Sequence, residues 1–410
     1  MYVVLGHAWF TVWPEVMYRE KPSGLVLALT SWLRYGHAAV AFFIVLSGYV
    51  LGMQVVRSGN LIKGSAWSFY KKRAWRILPP YYFALIISLL LLTWIRYPSH
   101  TLYDGSLPVT TQGILSHFLL IHNFWTKTRA EISGPFWSIA VECQIYLAFP
   151  LMVWVAQRRG WLVALGTVVL AALPSWFLLR KTDHYDLMPL LYVCFGFGTL
   201  AAAATHDPAL QKVRDLPWKW ISSTAFGLFV LYTVRAGTEA LIHVSLGEIL
   251  FGIGAAGGVI LMANNPNGWV VQRLSSRPLV AIGTFSYSLY LIHSPLQQLF
   301  WQFVLDPLHL PKPATFGLLA FAGTPLLVAA AYGFHLLFER PFMSQRQRLA
   351  EREAIHAMPS KSPSRSLQKA YADVPHQEAP TLLRHGSTVE TANHQELSLR
   401  DIETESPYLG

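Results

Sequence analysis

The chain has 410 residues, of which 53% are hydrophobic and 13% are charged, whereas soluble domains carry roughly 25% charged residues. So few charges, with a mean hydropathy of +0.35, exclude a protein whose whole surface faces water. We therefore expect a lipid bilayer to solvate much of the chain. The net charge of +10 would indicate nucleic acid in a soluble protein. In a membrane protein it is explained by basic loops on one side of the bilayer, and we expect no nucleic-acid partner.

Apolar stretches of spanning length recur through the first 340 residues. They predict an all-α integral membrane protein with about ten transmembrane helices. The stretches are 1–17, 37–56, 78–95, 136–156, 161–179, 187–204, 218–235, 246–263, 279–303 and 315–338. A further apolar patch at 114–125 is too short to span and is predicted to be interfacial or re-entrant. The first stretch is also short, and we expect its helix to begin upstream of Met1.

The chain divides by composition into two parts. Residues 1–343 form the predicted multi-pass membrane domain. Residues 344–410 are polar and lack apolar periodicity, which predicts a disordered tail. Basic residues are concentrated after the second span, at Arg57, Lys63, Lys71, Lys72, Arg73 and Arg76. The positive-inside rule makes that loop cytoplasmic, and with ten spans both termini and the tail are then cytoplasmic as well.

Ionisable side chains within or beside spans are candidate functional residues because they are costly to bury in lipid. His7 stands in an otherwise apolar stretch. It could act as a base near neutral pH, or it could bond another helix. Arg73 and Arg76 lie three residues apart and share a helix face where the chain re-enters the membrane. Guanidinium groups bind phosphate bidentately, so the pair predicts either a phosphate-rich ligand or an ordinary positive-inside cluster.

A polar stripe marks the span that begins at residue 136. Ser138, Glu142 and Tyr146 are spaced by four and line one helix face. Glu142 could orient a histidine, anchor a substrate hydroxyl or pair with an arginine. Ser138 and Tyr146 are predicted substrate-binding residues on the same face.

A second polar stripe lies in the span 279–303. Ser286, Tyr290, His293 and Gln297 share one face at helical spacing. Tyr290 and His293 are predicted to bind substrate, and His293 is a second candidate base. The alternative is a polar packing seam between helices.

These pieces, in this order, resemble the acyltransferase-3 family of membrane proteins, which acylate sugars and other acceptors from acyl-CoA. The matching motifs are Val4-Leu5-Gly6-His7, Phe42-Phe43-Ile44-Val45-Leu46-Ser47-Gly48-Tyr49, Arg73-Ala74-Trp75-Arg76 with Ile77 and Pro79, Phe136-Trp137-Ser138-Ile139-Ala140-Val141-Glu142, Ser286-Tyr287-Ser288-Leu289-Tyr290-Leu291-Ile292-His293, and Phe338-Glu339-Arg340-Pro341. The resemblance extends from residue 1 to about residue 343. It implies that His7 is the catalytic base, with Glu142 as a further catalytic residue. It also implies that Arg73 and Arg76 bind the donor.

The resemblance further implies an acyltransferase with acyl-CoA, by default acetyl-CoA, as co-substrate and with no bound cofactor. The acceptor is expected to be a hydroxyl of a carbohydrate or another small molecule. The family usually carries an arginine upstream of the first histidine, at a position that here falls before Met1. The two cysteines, Cys143 and Cys194, show no metal-ligand spacing, and no metal site is predicted.

Two other functions stay open on the residues alone. Intramembrane His and Glu also serve as proton relays and substrate sites in transporters. Many carriers have internal repeats, and the sequence shows none. The third possibility is a catalytically inactive relative or membrane scaffold.

Overall fold

The computed structural model describes residues 1–236, 246–344 and 348–349, and within these ranges it contains helices and no strand. The helices used below are α1 (Tyr2–Val12), α2 (Gly36–Val56), α3 (Ala66–Leu91), α4 (Phe136–Arg159), α5 (Trp161–Leu179), α6 (Pro189–His206), α7 (Trp218–Ala236), α8 (Leu246–Asn264), α9 (Arg277–Thr284), α10 (Ser286–Phe300), α11 (Lys312–Leu318) and α12 (Thr324–Phe334). Short α-helices occupy Glu15–Tyr18, Gly24–Thr30, Thr111–Phe118, Thr126–Arg129, Gln211–Arg214 and Trp269–Leu274. The predicted tail, 344–410, lies almost entirely outside the described residues.

Seven helical segments of the described chain are long and apolar enough to cross a membrane. They are Gly24–Val56, Ala66–Trp94, Phe136–Arg159, Trp161–Leu179, Pro189–His206, Gly247–Asn264 and Lys312–Phe342. An eighth is formed if α9 and α10, which meet at 71°, are counted as one broken span. The all-α membrane class is thus confirmed.

The number of ten full spans is not confirmed. Each of the ten predicted stretches contains a helix, but two of these helices fall short of a span. Helix α1 has only 11 residues, which is about half of what a bilayer requires. Helix α7 has 19 residues, but it is not apolar enough to stand among the seven segments.

The helices have two distinct ends. Residues 57–65 precede α3 and residues 95–135 follow it, so the two loops lie at opposite ends of the bundle. We call the first the arginine end and the second the cap end, and residues 95–135 the cap. Gln157 donates to the Asn60 carbonyl at the arginine end (2.7 Å), and the Thr126 amide donates to the Asp183 carbonyl at the cap end (2.9 Å).

Successive long helices alternate in direction between the two ends, so the predicted cytoplasmic loops all lie at the same end of the bundle. The loops after α2, α4, α6 and α8 all fall at the arginine end. They contain or adjoin Arg57, Lys63, Lys71, Lys72, Arg73, Arg76, Arg158, Arg159, Lys212, Arg214, Arg273 and Arg277. The basic residues of the predicted cytoplasmic loops therefore lie at one end of the folded bundle.

Close backbone packing holds α2 against α6. A Cβ added to Gly48 would lie 2.2 Å from the Phe195 carbonyl oxygen, and one added to Gly198 would lie 2.0 Å from the Val45 oxygen. Small residues permit this approach between membrane helices. The glycine of the Leu-Ser-Gly-Tyr motif thus has a packing role, and it fixes the position of the neighbouring Ser47.

The cap is an ordered layer over one end of the helices. The apolar patch at 114–125 forms the helix Thr111–Phe118 and a 3₁₀ turn at His122–Phe124, so the prediction of a short, non-spanning piece is confirmed. Asp104 accepts hydrogen bonds from the Ser99 and His100 amides and from the Tyr18 hydroxyl. These bonds tie the cap to the segment that follows α1.

Candidate active site

A cavity of about 360 Å³ lies beneath the cap, between α1, α10 and the first residues of α2 and α4. Its wall combines polar and aromatic groups with small residues. The polar and aromatic members include His7, Phe10, Thr11, Arg34, His37, Tyr103, Ser106, Arg129, Trp137, Tyr290, Ser294, Gln297 and Gln298. The cavity thus gathers residues that are distant in sequence, and His7 and Tyr290 are the predicted site residues in its wall.

His7 and His293 form a pair at the floor of this cavity. Their ring centroids are 4.9 Å apart and the planes meet edge-on, at 63°. His7 is only partly buried and lines the cavity, whereas His293 is fully buried behind it.

The carbonyls around His293 define which of its nitrogens carries hydrogen. Its Nδ1 lies 2.9 Å from the Tyr290 carbonyl and 3.2 Å from the Leu289 carbonyl, so Nδ1 donates. Its Nε2 is buried and has no hydrogen-bond partner among the described residues, and it is free to accept one.

The two polar stripes meet through Ser138 and Tyr290. The Ser138 and Tyr290 hydroxyl oxygens are 2.7 Å apart, and the Tyr290 hydroxyl donates to the Pro135 carbonyl at 3.0 Å. This contact joins α4 to α10 across the edge of the cavity. Ser286, the first residue of the second stripe, is exposed and bonds back to Gly283, so it is not part of the site.

Glu142 lies one turn further along α4, towards the arginine end. Its carboxylate accepts a hydrogen bond from Tyr146, and the Tyr146 hydroxyl lies 2.6 Å from Ser47 Oγ. Glu142 and Tyr146 are both buried, and neither lines the cavity. The recorded hydrogen bond of the Glu142 carboxylate goes to a tyrosine and not to a histidine, so the prediction that Glu142 orients a histidine stays a prediction.

Arg73 and Arg76 approach this carboxylate from α3. Both are partly buried, and both interact electrostatically with Glu142. Neither forms an ion pair within 4.0 Å in the part of the chain that the structure describes. Arg73 Nε is buried without a hydrogen-bond partner there, and its Cζ lies 5.8 Å from the Phe69 ring centroid. These guanidinium groups are available to an anionic ligand.

The predicted residues therefore fall into two groups. The cavity group consists of His7, Ser138, Tyr290 and His293, and the arginine group consists of Arg73, Arg76, Glu142 and Tyr146. Helix α4 joins them, because eight residues separate Ser138 from Tyr146, or about 12 Å along the helix axis.

Several cavity residues escaped the sequence analysis. His37 lies at the edge of a predicted span, and its ring centroid is 5.8 Å from that of Trp137. An ionisable residue at a span boundary was an available signal for it. Arg34 and Arg129 stand in connecting segments, and only the tertiary structure shows that they face the same cavity.

Comparison with known families identifies the class. The family described as "Acyltransferase domain" matches residues 1–336. The chain therefore belongs to the acyltransferase-3 family, a family of acyltransferase enzymes, and the resemblance drawn from the motifs is confirmed. No solved structure matches the chain.

Individual relatives are distant. Nodulation protein 10 of Rhizobium leguminosarum bv. viciae is 25% identical over 362 residues, which cover 78% of this chain and 86% of that protein. The YrhL protein of Bacillus subtilis (strain 168) is 26% identical over 322 residues, covering 67% and 48%. O-acetyltransferase OatA of Staphylococcus aureus (strain NCTC 8325 / PS 47) is 26% identical over 284 residues, covering 65% and 46%. The chain thus spans about half the length of the last two.

Proposed function

We propose that the protein transfers an acyl group, in the first instance acetyl, from acyl-CoA to a hydroxyl of a carbohydrate or other small acceptor. The observation that carries this proposal is the division of the site. A histidine faces the cavity at one end, and two arginines that form no ion pair with any described residue stand at the other. Membership of the acyltransferase-3 family supports acyl transfer, and the name of the OatA relative supports acetyl as the group transferred.

The donor binds from the arginine end, which we infer faces the cytoplasm because basic loops favour that side. Arg73 and Arg76 hold the phosphates of CoA through charge-assisted hydrogen bonds. The pantetheine arm then extends along α4, past Tyr146 and Glu142, and presents the thioester to the cavity. In this arrangement Glu142 balances the arginine charge and sets the position of Tyr146.

The acceptor occupies the cavity beside His7. His7 removes the proton of the acceptor hydroxyl as its oxygen attacks the thioester carbonyl. The carbon–sulfur bond then breaks, and the CoA thiolate leaves with the proton that His7 returns. His293 acts behind His7: its Nε2, which has no hydrogen-bond partner among the described residues, would accept the imidazole N–H in the reacting complex and hold the ring in the tautomer that a base requires.

The experiment uses the full chain in lipid with radiolabelled acetyl-CoA and a set of hydroxylated acceptors. We expect acceptor-dependent release of CoA thiol together with labelled product. Flux of a candidate substrate across liposomes without any acyl donor would instead favour a transporter. If the protein showed no release of CoA and no flux, the result would favour an inactive relative.

A further inference from the structure

The cavity wall contains two arginines, and the first is already neutralised. Arg34 donates to both carboxylate oxygens of Glu15, at 2.8 Å and 2.6 Å. Glu15 is 3% exposed, so this is a buried bidentate ion pair. Such a pair is broken only at high cost, because either partner left alone would be a buried uncompensated charge.

The second arginine also has a buried carboxylate as its charge partner, but through one longer contact, and Arg129 Nε has no hydrogen-bond partner among the described residues. Arg129 Nε lies 3.3 Å from Asp186 Oδ1, and the Asp186 side chain is 4% exposed. Two further carboxylates, Asp104 and Glu131, are buried in the cap. Glu131 accepts hydrogen bonds from Thr110, and Asp104 accepts them from the neutral groups named above. The positive charges of Arg34 and Arg129 are thus balanced by the carboxylates around the cavity. At the arginine end, by contrast, Arg73 and Arg76 form no ion pair with a described residue.

The remaining polar groups of the wall are suited to hydroxyls. Gln298 accepts a hydrogen bond from Thr101 through Oε1 (2.8 Å). Its Nε2 is buried without a partner among the described residues, although Gln298 lines the cavity and is 1% exposed. A buried amide N–H without an acceptor is costly, and a ligand oxygen would satisfy it. Trp137 adds a flat apolar surface beside His37.

From these contacts we propose that the cavity selects an acceptor without negative charge: a neutral hydroxylated ring that lies against Trp137 and accepts a hydrogen bond from Gln298. This rests on the proposed function, since it specifies the acceptor of that reaction. An anionic acceptor would lose its hydration, and it would find the charge of both arginines already balanced by a carboxylate, with Asp104 and Glu131 nearby. The cavity would then exclude anions because its two arginines are paired with carboxylates, and not because its wall contains no arginine.

The test is a binding measurement that requires no acyl donor, so its result is independent of acyl transfer. The probes are methyl β-D-glucopyranoside and methyl β-D-glucuronide, which differ in a carboxylate at one carbon. Each is titrated by saturation-transfer NMR against the full chain in nanodiscs. We expect the neutral probe to bind at least about tenfold more tightly, and Trp137→Ala to weaken its binding.

Two variants test the origin of the selection. Glu15→Gln and Asp186→Asn each release one arginine, and each is expected to improve glucuronide binding about tenfold while leaving glucoside binding unchanged. Asp215→Asn is the matched control, because it removes the carboxylate of an exposed ion pair, Arg214–Asp215, outside the cavity wall.

The proposal is overturned by any of three results. The first is that the wild-type protein binds the glucuronide as tightly as the glucoside. The second is that it binds neither probe. The third is that a folded Glu15→Gln or Asp186→Asn variant keeps the wild-type ratio of affinities. Should one variant fail to fold, the other and the wild-type comparison still decide.

Discussion

The ring of His7 meets the ring of His293 edge-on, with 4.9 Å between centroids, although the two residues are 286 positions apart in the chain. One faces the cavity and the other is enclosed behind it. The inner ring is fixed by two backbone carbonyls, which leave its second nitrogen as an acceptor. In the proposed mechanism, this pairing assigns a positioning role to His293 and the role of base to His7.

Replacing His293 with phenylalanine should separate these two roles. His293→Phe keeps a ring against His7 but removes Nε2, the nitrogen that we propose accepts the His7 N–H during the reaction, so the base would lose its orientation. We expect kcat to fall roughly 10- to 100-fold, with the KM for acyl-CoA unchanged. Steady-state kinetics on protein in lipid would measure both. A raised KM for acyl-CoA at full kcat would contradict the assignment.

Substitution of Arg73 should show the opposite pattern. Arg73→Lys keeps the charge but loses bidentate phosphate contact, and Arg73→Gln loses both. We expect the KM for acyl-CoA to rise in that order, by roughly 10-fold or more for the glutamine variant. Arg158→Gln is the control, because Arg158 lies at the same end but is exposed and stacks on Trp154 at 4.3 Å. An equal effect at Arg158 would mean that only the general charge of this end matters.

The glycine of the second motif should be intolerant of a single methyl group. Gly48→Ala would place a carbon 2.2 Å from the Phe195 carbonyl oxygen, so α2 and α6 must separate. Overpacking of this kind costs roughly 1–3 kcal/mol, and the midpoint of thermal unfolding in detergent should fall. Gly166→Ala, in α5, meets nothing within 4 Å and should be neutral or slightly stabilising. Equal midpoints for the two variants would contradict this packing.

Stability should depend on pH through two stacked histidines in the cap. The rings of His117 and His122 lie parallel, 3.8 Å between centroids, and both residues are fully buried outside the seven spanning segments. Burial lowers the pKa of His117 from 6.5 to about 4. Burial, with the charge of His117 as a lesser cause, lowers the pKa of His122 well below 6.5.

Both imidazoles are therefore neutral in the folded cap, whereas the unfolded chain takes up protons below pH 6.5. Stability should be full above that pH and should fall as the pH drops towards 4, by up to about 1.4 kcal/mol per pH unit for each histidine. His122→Phe should make the loss between pH 6.5 and 5 shallower, as followed by thermal unfolding. The exposed control His309→Asn should retain the wild-type dependence. A His122→Phe curve parallel to wild type would refute this explanation.

The positions of the helices were predicted from the sequence more accurately than the number of helices that span the membrane. Apolar stretches of spanning length located every long helix in the described part of the chain, because lipid contact requires a continuous apolar stretch. It could not anticipate the 71° bend between α9 and α10, since the chain there reads as one apolar run. Nor could it place the cap, whose position depends on hydrogen bonds such as Tyr18 to Asp104.

The candidate site was predicted as separate pieces and not as an arrangement. Spacing by four put Glu142 and Tyr146 on one face, and the structure confirms this through their hydrogen bond. The pairing of His7 with His293 and of Arg34 with Glu15 depends on how distant helices meet, which one sequence does not record. The roles of the predicted residues stay predictions until kinetics test them.

The most direct test of the central claim is acetyl transfer by the wild-type protein and by His7→Ala, purified in lipid at equal amounts and with matched unfolding midpoints. We predict that the wild type releases CoA in proportion to acetylated acceptor. In His7→Ala we predict that kcat falls roughly 100- to 10,000-fold, while acyl-CoA still binds at Arg73 and Arg76. A His7→Ala protein with undiminished transfer would contradict the account.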